Sequence, residues 1–127
     1  MKIAREKDQE WVAASHENQS NPAVYRKRLF AREDLPAGRV QMHNLALLPA
    51  GQKFQAHYHT GMHEIFTITD GQVVMIINET VVELDEGDAI IVEAGEVHIM
   101  ENKGTEPAKY VVYGIIQKEG GSTVVVS

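Results

Sequence analysis

From residue 24 onward the sequence is cut into short apolar-rich runs separated by turn signals at regular intervals, a cadence that few folds accept. Residues 24–30 alternate β-branched and aromatic side chains with Arg and Lys, and Asp34-Leu35-Pro36-Ala37-Gly38 marks a turn. Residues 39–48 read as a second strand closed by Pro49-Ala50-Gly51. Residues 54–59 and 64–69 read as two more, joined by residues 60–63. Asp70-Gly71 is a hairpin signal, because glycine readily takes the positive φ of a tight β-turn. Runs at 73–77, 81–84, 89–92, 97–100, 109–117 and 123–126 follow, each bounded by Gly, Asn, Asp, Glu or Pro. Nothing resembles an amphipathic helix beyond a short turn near residues 5–14, and no internal repeat implies a duplicated domain. Many short strands at even spacing predict an all-β antiparallel sandwich or barrel.

A chain of 127 residues is large enough for one core and too small for two. Residues 1–22 are mostly polar and read as an N-terminal arm, with Trp11 and Val12 able to pin it to a surface; residues 23–127 read as the β domain. The net charge is −6, and half of the 18 acidic residues lie between positions 79 and 106, where Lys103 is the lone base. Phosphate backbones and acidic lipid surfaces are bound through Lys and Arg, so nucleic acid and membrane are not expected partners. The N-terminus is polar and charged, and no apolar run reaches the ~18 residues of a membrane helix. A soluble cytoplasmic protein is the expectation. Cysteine is absent, so any metal would be held by imidazole and carboxylate.

The stretch HYHTGMHE, residues 57–64, places three of the six histidines within eight positions. Residues i and i+2 of a strand share a face, so His57 and His59 point together with Tyr58 opposed. If Glu64 continues the inward face of the next strand, Phe66 and Ile68 share it, and the short 60–63 connection lets Glu64 approach the two imidazoles. His98 opens another short strand just after the Gly95 turn. Three neutral imidazoles and one carboxylate suit a divalent first-row metal: Fe, Mn, Ni, Zn, Co or Cu. Four protein ligands leave coordination positions for water or substrate. Imidazole must be unprotonated to bind, so occupancy is expected to fall below a pH of about 6.5.

These residues closely resemble the two motifs of a single-domain cupin. G-x5-H-x-H-x4-E-x6-G is met by Gly51, His57, His59, Glu64 and Gly71, and G-x5-P-x-G-x2-H-x3-N by Gly87, Gly95, His98 and Asn102. Glu93 stands where that family usually has proline, which leaves the shape of one turn open. The resemblance implies a jelly-roll-like antiparallel barrel, or double-stranded β-helix, with one divalent metal ion per chain bound at its mouth by His57, His59, Glu64 and His98. It also implies a homodimer, in which the strands at 24–30 or 123–126 of a partner would cover apolar sheet edges.

Neighbouring residues carry plainer readings. His63 adjoins Glu64, so alternation turns it away from the ligands toward a rim or interface. One of His43 and Asn44 faces the interior, and packing is the simpler role for either; His16, in the arm, gives no signal. Phe66, Ile68 and Met100 share parity with ligands and are expected to line the pocket. Tyr110 and Tyr113 have opposite parity, so at most one faces inward, as an acid, a hydrogen-bond donor or a packing group.

Two function classes remain open. The first is a metal-dependent enzyme acting on a small organic molecule, by dioxygenase-like activation of oxygen or by Lewis-acid isomerase or lyase chemistry. The second is a non-catalytic module that binds a small molecule or metal. No Asp, Glu or Lys is placed as a general base, which favours chemistry at the metal itself.

Overall fold

The computed structural model describes residues 2–35, 38–117 and 119–126. Its strands are β1 (Val12–Ala13), β2 (Tyr25–Phe30), β3 (Val40–Leu48), β4 (His57–His59), β5 (Met62–Asp70) and β6 (Val73–Ile77). After them come β7 (Thr80–Leu84), β8 (Ala89–Val92), β9 (His98–Glu101), β10 (Ala108–Ile116) and β11 (Thr123–Val125). Short 3-10 turns occupy Glu6–Asp8 and Arg32–Asp34. The architecture is all-β, as the turn cadence predicts. One antiparallel sheet has the order β1-β2-β3-β10-β5-β8, the other β11-β4-β9-β6-β7.

Side-chain alternation places the core between the sheets. On β5, Glu64, Phe66 and Ile68 are buried while their neighbours are less so, and on β10 Ala108, Tyr110 and Val112 do the same. Register joins these inward faces: Tyr110 lies opposite Ile68, Val112 opposite Phe66, and Gly114 opposite Glu64. Leu48, Ile68, Met75, Met100, Val24 and Val92 are fully enclosed. Each such side chain contributes about 1.5–3 kcal/mol of apolar burial.

Several boundaries differ from the sequence reading. The turn expected near residues 5–14 is a single 3-10 turn followed by β1, which pairs Val12 with Arg26 and Ala13 with Tyr25. The strand expected at 54–59 is regular only from His57, with Lys53 forming an isolated bridge to Glu101. β5 begins two residues early because Met62 and His63 pair with Ile116 and Ile115. Pro36 and Ala37 of the expected 34–38 turn lie outside the described residues. Among the described residues, no helix is long and apolar enough to cross a membrane.

Candidate metal centre

β4 presents His57 and His59 on one face, β9 sets His98 directly across from His57, and β5 brings Glu64 from the other sheet. One potential ligand atom from each of these four residues lies within 4.8 Å of the other three. Glu64 Oε1 is 2.8 Å from His59 Nε2 and 3.2 Å from His98 Nε2. The rings of His57 and His98 have centroids 4.4 Å apart. Glu64 is 6% exposed, His57 2% and His98 1%, so the cluster sits at the inner end of a cavity rather than on the surface.

The far ring nitrogens decide what the near ones can do. His57 Nδ1 lies 2.7 Å from the Gln55 carbonyl oxygen and His98 Nδ1 3.0 Å from that of Glu96. A carbonyl only accepts, so Nδ1 carries the hydrogen in both rings, and a neutral ring then presents a bare lone pair at Nε2. His59 Nδ1 meets the Thr123 hydroxyl at 3.0 Å, held there by the pairing of β11 with β4. His59 Nε2 is buried and, although close to Glu64 Oε1, is out of line for a hydrogen bond with it. Lone pairs and a carboxylate oxygen facing one another repel unless a cation lies among them. The donor set therefore fits a divalent metal.

Charge states agree with that fit. Burial, opposed by the bond to the Gln55 carbonyl and reinforced by His98, lowers the His57 pKa to about 4, so the ring is neutral at neutral pH. Burial alone would raise the Glu64 carboxyl, but the adjoining His59 and His98 rings outweigh it and hold the group at about 2. His57 and Glu64 are thus ready to ligate without first losing a proton.

The cluster opens into a cavity of about 340 Å³, near the lower end of the range for small-molecule sites. Phe66 lines it, and its ring lies 6.0 Å from that of His98. Ile68 and Met100, expected beside it, are instead enclosed in the core at 1% and 0% exposure and do not reach the cavity. Parity assigns a side chain to the interior but does not say whether it lines a cavity or packs in the core. Tyr110 faces the cavity and Tyr113 is exposed. Burial, then the charges of Glu64 and Glu17, push the Tyr110 phenol well above its ordinary value, so it keeps its proton. Asn44 faces in, while His43 packs between Phe30 and Tyr113 outside. His63 points away from the cluster and accepts a hydrogen bond from the Ala94 N–H at 3.0 Å.

Nothing in the sequence places His16 here, yet its ring stacks on His57 with centroids 4.2 Å apart. Burial, then the neighbouring His57, lowers its pKa to about 3. Glu17 holds it in place: Oε1 accepts from the Ala23 N–H at 2.8 Å and Oε2 from the Gln55 N–H at 3.1 Å. An acidic residue beside a histidine in a polar arm is too common a pair to signal this.

The turns around β9 explain the second motif. Gly95 has φ +87°, and its N–H donates to the His59 carbonyl at 2.8 Å, tying the approach to His98 onto β4. Asn102 is 1% exposed. Its Nδ2 donates to the Leu48 and Glu106 carbonyls, and its Oδ1 accepts from the Gly104 N–H. At the departure from the motif, the Glu93 N–H donates to Glu96 Oε1 at 2.7 Å, a bond that proline cannot make.

The family model of the cupin domain matches residues 44–114, which contain the whole cluster. The tetracenomycin polyketide synthase protein TcmJ of Streptomyces glaucescens is 31% identical over 64 residues, 50% of this chain and 43% of that protein. The chain thus spans about half the length of the curated relatives it matches. A predicted oxalate decarboxylase from Thermotoga maritima has a similar structure, with TM-score 0.79 and 23% identity over 91% of this chain and 99% of that one. The polyketide cyclase RemF from Streptomyces resistomycificus has TM-score 0.78 and 18% identity over 100% of this chain and 87% of the other. Likeness at this identity establishes a shared double-stranded β-helix and no shared reaction.

Proposed function

The chain belongs to the cupin family, and from that membership we propose that it is a metal-dependent enzyme acting on a small organic molecule. One observation carries the reading: two imidazoles locked in the Nδ1–H form and a third with its Nε2 orphaned face a single carboxylate oxygen. A divalent cation held by His57, His59, Glu64 and His98 supplies Lewis acidity or, if redox-active, dioxygen activation. The chain's own residues do the rest. The Gln55 and Glu96 carbonyls fix ring orientation, which sets the basicity of Nε2. Phe54, 5.2 Å from His57 and 5.9 Å from His98, and Phe66 shield the cluster from water. Tyr110 retains its phenolic proton and offers a hydrogen bond to a ligand oxygen in the cavity. The relatives bear the names of different chemistries, decarboxylase and cyclase, so the reaction is a matter for experiment.

The test is elemental analysis of protein purified without chelators, beside a His98→Ala variant. About one metal ion per chain is expected, with most of it lost in the variant; equal content in both would remove His98 from the centre. Oxygen uptake and product analysis over diols, keto acids and sugar acids then separate an enzyme from the alternative, a non-catalytic binding module. A loaded protein that consumes no oxygen and transforms nothing favours the module. Pairing of two copies belongs to the same proposal. Support comes from Val81 at 63% and Ile91 at 61% exposure, which sit on the outer strands β7 and β8 of the two sheets.

A further inference from the structure

The cavity that holds the metal cluster gathers arginines, against the trend of the chain, with Glu33 also in its lining. The protein carries 12 basic and 18 acidic residues, yet three of its five arginines, Arg26, Arg28 and Arg32, line this one cavity. β2 produces the arrangement by alternation. Arg26 and Arg28 face the cavity, whereas Lys27 between them turns outward, 3.3 Å from the Glu6 carboxylate and over the Trp11 ring. Register with β3 sets Arg26 opposite Ala46 and Arg28 opposite Asn44, both also in the cavity wall.

Among the described residues, neither guanidinium is answered by protein: Arg26 and Arg28 form no ion pair, and Arg26 Nε is buried with no hydrogen-bond partner. Asn44 Oδ1, on the adjoining strand, is likewise buried and unpartnered. A buried donor on a charged group, left without a partner, is costly enough to require an explanation. Burial, then the charge of Arg28, also lowers the Arg26 pKa from its usual value, a crowding that a bound anion would relieve. Arg32 donates to the Gly38 carbonyl, so its guanidinium, unlike the other two, has a protein partner.

We propose that Arg26 and Arg28 form an oxyanion subsite, so that the ligand of this cavity is a small organic anion with its carboxylate or phosphate on the guanidinium pair. The planar fork matches two oxygens of either group, and Asn44 Oδ1 stands ready to accept from a ligand hydroxyl. The rest of the ligand then extends toward the metal cluster, within a space that admits only a small molecule. This inference rests on the reading of the cavity as a ligand site, but it does not require that the metal be present.

Calorimetric titration tests it with succinate and glycerol 3-phosphate as probes and uncharged succinamide as the control. Each is added to metal-loaded and to chelator-treated protein. Wild-type protein is expected to bind at least one anion at least about tenfold tighter than succinamide, and less tightly as salt rises. Arg26→Met should lose about tenfold or more of that affinity, and Arg26→Lys should recover part of it. Metal content of both variants should match wild type, which shows that the fold and the cluster are intact. Which anion binds better decides between carboxylate and phosphate. Arg26-dependent anion binding in protein that takes up no metal even when loaded sustains the subsite while refuting the metal reading; the same binding in chelator-treated protein alone sustains the subsite. Wild-type protein that binds neither anion at millimolar concentration overturns the inference, as does an Arg26→Met variant with unchanged affinity.

Discussion

Asn102 directs its whole amide at backbone, with two carbonyls and one N–H satisfied by a single enclosed side chain. Asn102→Ala should therefore cost about 2–4 kcal/mol in urea unfolding, while the metal content of the folded fraction stays near wild type. Glu93 makes a smaller point. Proline there would stiffen the unfolded chain, worth about 0.4–1 kcal/mol where the geometry allows, but would delete the bond from the Glu93 N–H to Glu96. Glu93→Pro should thus lower the melting temperature slightly, although proline is the usual residue in the motif. The buried rings give a pH signature. His57 and His16 titrate near 4 and 3 in the folded protein, against an ordinary 6.5. The unfolded chain takes up protons that the folded one refuses, so stability is full above about pH 6.5 and falls as the pH drops toward 4 and then 3. The depressed Glu64 value adds a further loss below its ordinary 4.5. Thermal melts of chelator-treated protein should show this decline, and a melting temperature unchanged between neutral pH and about pH 4 would contradict the burial of both rings.

At the scale of elements, one carboxylate reinforces the pairing of β1 with β2 that docks the arm. Glu17→Ala removes acceptors for the Ala23 and Gln55 N–H groups and should cost about 2–4 kcal/mol. It should also free the segment that carries His16, so limited proteolysis should cut within residues 2–22 of the variant well before it cuts wild type. Much of the element plan is legible in the sequence because period-two alternation is a local property. The inward faces of β5 and β10 and the pairing of His57 with His59 follow from counting residues. The approach of Glu64 follows from a short connection, and His98 from its place in a family motif. β1 is not legible, since two residues carry no periodicity and pair only because the chain returns as β2. The early start of β5 is set by Ile115 and Ile116, some fifty residues away. His16 fails for the same reason: its address depends on hydrogen bonds to Gln55, across the fold. Arg26 and Arg28 were visible as alternating residues of a strand, but nothing local states which side of that strand meets the cavity.

For the whole molecule, the proposed dimer should sediment at twice the chain mass, and Ile91→Arg or Val81→Arg should shift it toward the monomer if those outer strands form the contact. Metal should raise the melting temperature in proportion to the logarithm of its free concentration. At a thousandfold excess over the dissociation constant the gain is about 4 kcal/mol, and chelation should reverse it. That gain has a definite place in the architecture. Three of the four presumptive ligands belong to β4 and β9 in one sheet, whereas Glu64 belongs to β5 in the other. An ion bound there would act as a rivet through both halves of the sandwich, at the floor of the ligand cavity. Emptying the centre would then do more than remove a reagent: it would unfasten one sheet from the other, and the earliest amide exchange should appear on β4 and the facing start of β5 together.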